Sequence, residues 1–271
     1  MRVRLAPASN IEQAIALLRE LATNAYSVGA MAASPGERLQ EYVQWATNTE
    51  RRLRAVLTRP DAEAFFDHPR HRDICQMGGG AHVTALIAAE LEARALDFRE
   101  LADYIEQARN KMHSAPGCPV VLDSNVLLQC MRPDQLDWTR ELGETVRVMV
   151  PLRVIEEIDA KKYGDNQRLR SVARSLLPWI DSLFPNGRND PVPIRDGVSF
   201  ELLLADRPRH RSDDADEEVL DVAHEVRHLA GRVKLMTGDT GMRIRARSES
   251  LDVLILPDGW RRSRDSGAGA A

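Results

Sequence analysis

The 271-residue chain has few of the features that mark membrane or secreted proteins. No apolar run approaches the ~20 residues that a helix needs to cross a bilayer, and Met1 to Leu5 lacks the longer apolar stretch of a secretory signal. Three cysteines, an odd number at unpatterned spacings, argue against a disulfide framework. We therefore expect a cytoplasmic protein in a reducing compartment with no membrane partner.

The chain also lacks the positive charge surplus typical of proteins that bind nucleic acid over much of their surface. Its formal net charge is -4, so any such binding must come from a local basic patch. Lysine occurs only four times, so arginine dominates throughout and an arginine cluster carries little weight by itself. No Gly-x-x-x-x-Gly-Lys-Ser/Thr loop occurs, which excludes a nucleotide-binding loop of that type.

The first part of the chain has the apolar spacing of helices. Two segments, Ser9 to Glu12 and Ser34 to Glu37, have the form of helix-capping boxes and precede apolar residues at one-face spacing. A break is expected at residues 59–80, and helical spacing resumes over residues 83–108 as one helix or two. These patterns predict an all-helical domain over residues 1–112, whose role the sequence leaves open.

After a linker at residues 113–119, short β-rich runs alternate with helical segments. The candidate strands are residues 119–123, 146–150, 200–205, 233–237 and 252–256. Such alternation predicts an α/β domain, over residues 120–258, with a mainly parallel sheet covered by helices. A flexible tail is expected at residues 259–271. Sites in sheets of this kind form beyond the carboxyl ends of the strands.

Four acids lie where the predicted strands end or the helices begin: Asp123, Glu157, Asp216 and Asp239. Taken singly, three of them could cap helices and Glu157 could belong to a solvated helix face. Together they fall on one expected edge of the sheet, where close carboxylates would repel each other unless a cation intervened. Hard oxygen ligands suit Mg²⁺ or Mn²⁺, which can activate water for phosphodiester hydrolysis.

Residues 119–258 resemble the PIN nuclease domain, particularly the version found in PhoH-type proteins. The segment Leu122 to Leu128 is similar to the first motif of the family, with Asp123 as its acid and Asn125 as a supporting residue. Pro151 to Asp159 is similar to the second motif, in which Glu157 is the matching acid.

The third and last motifs of the family also have counterparts, in the same order along the chain. Asp216 to Leu220 is similar to the third motif, with Asp213 and Asp214 as alternative acids. Val233 to Asp239 is similar to the last motif, with Asp239 as the acid and Thr237 as its hydroxyl neighbour. One departure is Gly241, where an asparagine is common in the family.

The resemblance implies an αβα sandwich and a metal-dependent endoribonuclease that acts on single-stranded RNA. Asp123, Glu157, Asp216 and Asp239 would hold Mg²⁺ or Mn²⁺, Asn125 and Thr237 would orient ligands or water, and water would be the nucleophile. The nucleotide-binding loop of the PhoH ATPase is missing from this sequence. Self-association and an antitoxin-like protein partner are open.

Two other enzyme or module classes compete with this interpretation. His224-Glu225-x-x-His228, with Glu249 as a third ligand, has the zinc-peptidase pattern. Helical spacing places both histidines opposite the apolar stripe, which favours a solvated polar face instead. A PIN-like domain could also act without catalysis, as an RNA-binding or assembly module.

Some weaker patterns complete the set of candidate sites. His68, His71 and Cys75 have partial zinc-site spacing without an evident fourth ligand. Three groups of arginines could bind RNA phosphates or simply make exposed faces soluble. These groups are Arg168 with Arg170 and Arg174, Arg207 to Arg211, and Arg243 with Arg245 and Arg247.

Overall fold

A computed structural model describes residues 4–7, 9–77, 80–185, 190–204 and 214–262. The chain divides into two compact units, Met1–Lys111 and Met112–Ala271. Asp213 and the arginines at positions 207, 209 and 211 lie outside the described residues. Within the described part, no helix is both long and apolar enough to cross a membrane.

The first unit is helical, as the apolar spacing predicts. Its helices are α1 (Ile11–Ala25), α2 (Pro35–Leu53), α3 (Arg59–Glu63), α4 (Pro69–Gln76) and α5 (Ala81–Ser114). Fully buried apolar side chains such as Leu18, Leu53, Ile87 and Phe98 form its core.

Two local expectations for the first unit differ from the structure, and one open alternative is decided. The cap of α1 is Asn10, whose side chain accepts a hydrogen bond from the Glu12 amide at 2.8 Å, and not Ser9. The expected break at residues 59–80 contains α3 and α4, and α5 is one continuous helix. Short helices are missed in the sequence because they span too few turns to show the apolar spacing of a helix.

The second unit is an α/β sandwich around a six-stranded sheet, which confirms the predicted fold class. Its strands are β1 (Cys118–Leu122), β2 (Val146–Pro151), β3 (Val192–Arg195), β4 (Val198–Leu203), β5 (Lys234–Met236) and β6 (Asp252–Leu254). They lie in the order β3-β4-β2-β1-β5-β6, and only the pairing of β3 with β4 is antiparallel. The central strands β1 and β2 are buried along their whole length, as expected for a parallel sheet covered on both faces.

Helices between the strands cover this sheet. They are α6 (Ser124–Gln129), α7 (Trp138–Leu142), α8 (Leu152–Lys161), α9 (Gln167–Leu183), α10 (Ala215–Ala230) and α11 (Thr240–Ser248). The strand β3 had no signal in the sequence, because this edge strand has two prolines near it and alternates in exposure along only four residues.

Two segments predicted as linker and tail are partly ordered against the second unit. The helix α5 extends to Ser114, and the chain enters β1 through Gly117 at a φ of 112°, where a Cβ would lie 3.0 Å from the backbone carbon of Val146. The segment from residue 259 begins in contact with the domain, because Trp260 packs edge-on against the buried Trp138 with ring centroids 4.6 Å apart. The rest of the predicted tail, from residue 263, lies outside the described residues.

A buried ion pair joins two neighbouring strands of the sheet. Arg147 of β2 and Glu201 of β4 are 2% and 5% exposed, and Arg147 Nη2 lies 2.5 Å from Glu201 Oε2. Arg147 Nη1 also donates to the main-chain carbonyl of Met112 at 2.8 Å. Such a pair needs both partners, since removing one leaves an uncompensated charge in the interior.

We expect Glu201→Leu to destabilise the second unit by about 3–5 kcal/mol, because it leaves the Arg147 charge buried alone. The urea dependence of hydrogen exchange in β2 and β4 would measure this unit by itself. The double variant Arg147→Met with Glu201→Leu should recover most of the loss. A double variant as unstable as the single one would contradict the explanation.

Candidate active site

The parallel pairing of β1 with β5 forms one edge of the candidate site. Leu122 is paired with Met236, so the next residues, Asp123 and Thr237, emerge together at the carboxyl ends of the two strands. The Asp123 amide continues the ladder by donating to the Met236 carbonyl at 3.1 Å. Residues 114 positions apart in sequence thereby become neighbours.

Asp123 is a buried carboxylate surrounded by hydrogen-bond donors. The residue is 3% exposed, and its Oδ2 accepts hydrogen bonds from Thr237 Oγ1 at 2.8 Å and from Asn125 Nδ2 at 3.2 Å. Ser124 Oγ donates to the other oxygen at 3.3 Å. The Asp123 side chain makes no capping bond to α6, so helix capping does not account for this acid.

Thr237 connects the buried acid with the exposed acid Asp239. The Thr237 hydroxyl donates to Asp123 and accepts a hydrogen bond from the Asp239 amide at 3.0 Å. Asp239 Oδ1 in turn accepts from the Met242 amide at 2.8 Å and caps α11. Asp239 therefore has a structural role, and this role leaves its second carboxylate oxygen for other contacts.

Asp216 reaches the same region from the first turn of α10. The cap of α10 is Asp214, whose side chain accepts from the Asp216 amide at 3.0 Å. Arg245 of α11 holds both acids, with Nη2 2.6 Å from Asp216 Oδ2 and Nη1 2.9 Å from Asp214 Oδ2. This guanidinium fixes the start of α10 against α11.

The charges around Asp216 link it to the other two aspartates. Burial raises the pKa of Asp216, and the negative charges of Asp123, Asp214 and Asp239 raise it further, while Arg245 opposes them. A raised pKa of this origin means that the carboxylates repel each other. Asp123, Asp216 and Asp239 thus form an electrostatically coupled group at the carboxyl edge.

Glu157, the fourth predicted acid, lies on a helix that adjoins this group. It lies half-buried on α8, which packs against α6 and α10, the helices adjoining Asp123 and carrying Asp216. Among the described residues, no hydrogen bond or ion pair connects the Glu157 carboxylate to the other three acids. The neighbouring Glu156 instead pairs with Arg153 at 3.5 Å.

The donor chemistry of the group suits a hard divalent ion. Within the described residues, no three side chains of histidine, cysteine, aspartate or glutamate are arranged around one point as ligands. The mutual repulsion that raises the pKa of Asp216 is nevertheless the kind that a cation relieves, and the available donors are carboxylate and hydroxyl oxygens. In the structure, the Arg245 guanidinium partly supplies this positive charge.

Sequence reasoning missed the roles of two residues at the site. Arg245 appeared only as one of several arginines available to RNA, whereas it is paired with Asp214 and Asp216. Gln129, at the end of α6, lies beside Gly238, because a Cβ at Gly238 would be 3.7 Å from Gln129 Oε1. The sequence contains no motif that indicates either role, because each residue contacts a segment that is distant from it in sequence.

Two residues of the zinc-peptidase pattern contact each other, but among the described residues no third side chain joins them as a metal ligand. His224 Nε2 lies 2.6 Å from Glu249 Oε2, and Arg227 Nη1 donates to the Ser250 carbonyl at 3.0 Å. These contacts join α10 to the end of α11, so His224 packs at a helix junction. The expected solvated face for His224 is wrong, because its side chain is only 17% exposed.

The histidines of the first unit are also engaged in side-chain contacts. His71 Nδ1 lies 2.7 Å from the Tyr42 hydroxyl, and His68 Nε2 lies 2.9 Å from Glu90 Oε1. Glu90 is fully buried and also pairs with Arg94 at 3.1 Å. These contacts give the polar residues of this unit a packing role.

Comparison with known proteins places the second unit in a family. The family model described as PIN domain matches residues 120–255. Protein PhoH2 of Thermobispora bispora is 32% identical over 153 residues, which cover 52% of this chain and 33% of that protein. The chain therefore spans about a third of the length of this relative.

We expect Thr237→Val to destabilise the domain by about 1–3 kcal/mol, because it removes a donor from the buried Asp123 carboxylate and an acceptor from the Asp239 amide. Thr237→Ser, which keeps the hydroxyl, is the matched control. Urea unfolding of both variants would measure the difference. A Thr237→Val variant as stable as the native protein, or more stable than Thr237→Ser, would contradict the explanation.

Proposed function

Because this chain belongs to the PIN-domain family, we propose that it is a metal-dependent endoribonuclease whose active site is the carboxyl edge of the sheet. The observation that carries the proposal is geometric: Thr237 joins Asp123 to Asp239 at one edge, and Asp216 is paired with Arg245 on α11, the helix that Asp239 caps. Several carboxylates together at such an edge favour a role in phosphodiester hydrolysis. Helix capping could explain any one of these acids but does not explain why they share an edge.

The contacts of each residue indicate its role in the proposed site. Asp123 is fixed in one orientation by Thr237, Asn125 and Ser124, so it would be the rigid metal ligand. The exposed Asp239 and the half-buried Asp216 would complete the site on its solvent side. A divalent ion bound there would activate water and neutralise charge that develops on the phosphate.

We retain Glu157 as the fourth ligand in this proposal. Its helix α8 packs against α6 and α10, so its side chain starts near the helices that adjoin or carry two of the other acids. Arg245 would act as the counter-charge of Asp216 before a cation binds.

The proposed substrate is single-stranded RNA, and the proposed compartment is the cytoplasm. Cys75, Cys118 and Cys130 are free, and three unpaired thiols suit a reducing environment. PhoH2 is similar to this chain over only part of its length, so the activity of that whole protein is not transferred here.

We expect Asp123→Asn to abolish Mn²⁺-dependent cleavage of single-stranded RNA, a loss of at least about a hundredfold, because the oriented anionic ligand is removed. Asp252→Asn is the matched control, since Asp252 is exposed at the start of β6 and pairs with Lys234. Cleavage of a labelled oligonucleotide would be followed with Mg²⁺, with Mn²⁺ and with a chelator.

Undiminished cleavage by Asp123→Asn would overturn the assignment of the active site. RNA binding without turnover under every metal condition would favour the alternative of a non-catalytic RNA-binding module. Bound zinc that is lost in His224→Ala and kept in Asp123→Asn would favour the zinc-peptidase alternative.

We expect Glu157→Gln to lower the cleavage rate at least about tenfold and to raise the Mn²⁺ concentration needed for half-maximal activity, because a charged ligand is removed. Glu156→Gln is the adjacent control, since Glu156 pairs with Arg153. A titration with Mn²⁺ would compare the two variants. If both behave alike, the site consists of the three aspartates without Glu157.

A further inference from the structure

The chain returns to the candidate site after β6 in a segment that we call the C-terminal strap, residues 255–262. Because β6 is parallel to β5, the strap leaves the sheet at the same carboxyl edge as Asp239. It is held at the end of α6, where the Met131 amide donates to the Trp260 carbonyl at 3.0 Å and the Arg262 amide donates to the Gln129 carbonyl at 2.9 Å. The strap therefore carries two arginines, Arg261 and Arg262, to the rim of the site.

Arg261 is connected to the carboxylate edge through one side chain. Its Nη1 donates to Gln129 Oε1 at 3.1 Å, and the Gln129 amide lies beside Gly238, the residue between Thr237 and Asp239. The Arg261 side chain is 46% exposed, so its guanidinium is accessible from solvent. The Arg261 guanidinium is thus linked through Gln129 to the segment that carries Thr237 and Asp239.

Arg262 lies next to Arg261 and carries an unusual buried donor. Its Nε donates to the Cys130 carbonyl, and its Nη2 is buried with no hydrogen-bond partner among the described residues. Burial lowers the pKa of Arg262, and the nearby positive charges of Arg132 and Arg168 lower it further. The protein therefore places too little negative charge beside these neighbouring arginines to balance them.

The balance of charge along this rim is positive. Four arginines lie together here: Arg132, Arg168, Arg261 and Arg262. Among the described residues, the ion pairs of these arginines are with Asp134, 2.9 Å from Arg132, and with Asp258, 3.6 Å from Arg261. Arg168 is exposed and uses one nitrogen to bind the Arg262 carbonyl at 3.1 Å, which leaves donors for an anion.

We propose that the exposed Arg261 and Arg168, with the half-buried Arg262 between them as added positive charge, form a phosphate-binding track that holds the sugar–phosphate backbone of single-stranded RNA as it leaves the carboxylate edge. The inference rests on the proposed function. Arginine forks match phosphate oxygens, and successive contacts connect Gln129 with Arg261 and Arg262 with Arg168, so several positive charges are available to a backbone that carries repeated phosphates. Contacts of this kind position a strand without reading its bases.

The test separates binding from cleavage by using Asp123→Asn as the parent protein. In this background we expect the double variant Arg168→Ala with Arg261→Ala to weaken oligonucleotide binding about tenfold or more at moderate salt. The slope of log K against log salt should become shallower by about 0.7 for each phosphate that the variant no longer neutralises. Fluorescence anisotropy of a labelled single-stranded RNA at several salt concentrations would measure both quantities.

Two controls keep the expected result specific to the track. Arg232→Ala removes an exposed arginine that pairs with Glu144 at 2.8 Å. Arg232 precedes β5 and Glu144 precedes β2, so this pair lies at the amino ends of the strands, on the opposite edge of the sheet. The variant should leave the salt slope unchanged. Arg261→Lys keeps the charge and should keep most of the slope. With the native Asp123, the double variant should raise KM while kcat stays near that of the native protein.

An unchanged affinity and salt slope in the double variant would overturn the track, and so would a parent protein that binds no RNA. These results do not decide the proposed function, which depends on whether Asp123→Asn abolishes cleavage. Conversely, a track that binds RNA in a protein without cleavage would support the phosphate site and count against the nuclease.

Discussion

The parallel pairing of β1 with β5 is the constraint on which the candidate site depends. It sets Leu122 opposite Met236, so that Asp123 and Thr237 leave the sheet side by side and form a hydrogen bond of 2.8 Å. The burial of β1 and β2 on both faces makes this register costly to change, because a slip by one residue would move every side chain to the opposite face, where the closely packed interior fits a different side chain. The position of the acid is thus fixed by the packing of the sheet.

The acids at this edge combine structural and chemical roles. Asp239 caps α11 with one oxygen, and Asp214 caps α10, while Asp123 caps nothing and is instead held by side-chain donors. The guanidinium of Arg245 then balances Asp216 against the repulsion of its neighbours. Capping and metal binding are therefore compatible in this domain, because a carboxylate has two oxygens and a cap uses one of them.

The order of helices and parallel strands in the second unit was accessible from the sequence, because buried strands give continuous runs of Val, Leu and Met and helices keep an apolar stripe. The edge strand β3 was not, because it is short and its pairing with β4 is a property of the folded sheet. The cap at Asn10 was also missed, and the choice between one helix and two over residues 83–108 was open, since several residues near each boundary satisfy the same local preferences.

By itself the sequence determined which acids stand at strand ends and helix starts, the family to which residues 120–255 are similar, and the alternation that gives a parallel sheet. Only the tertiary structure decided which of these acids are coupled. It joined Asp123 to Asp239 through Thr237, paired Asp216 with Arg245 of α11, and packed the helix of Glu157 against α6 and α10. The physical reason is that local sequence preferences set the elements, whereas distances between side chains follow from strand register and helix packing between residues as far as 114 positions apart.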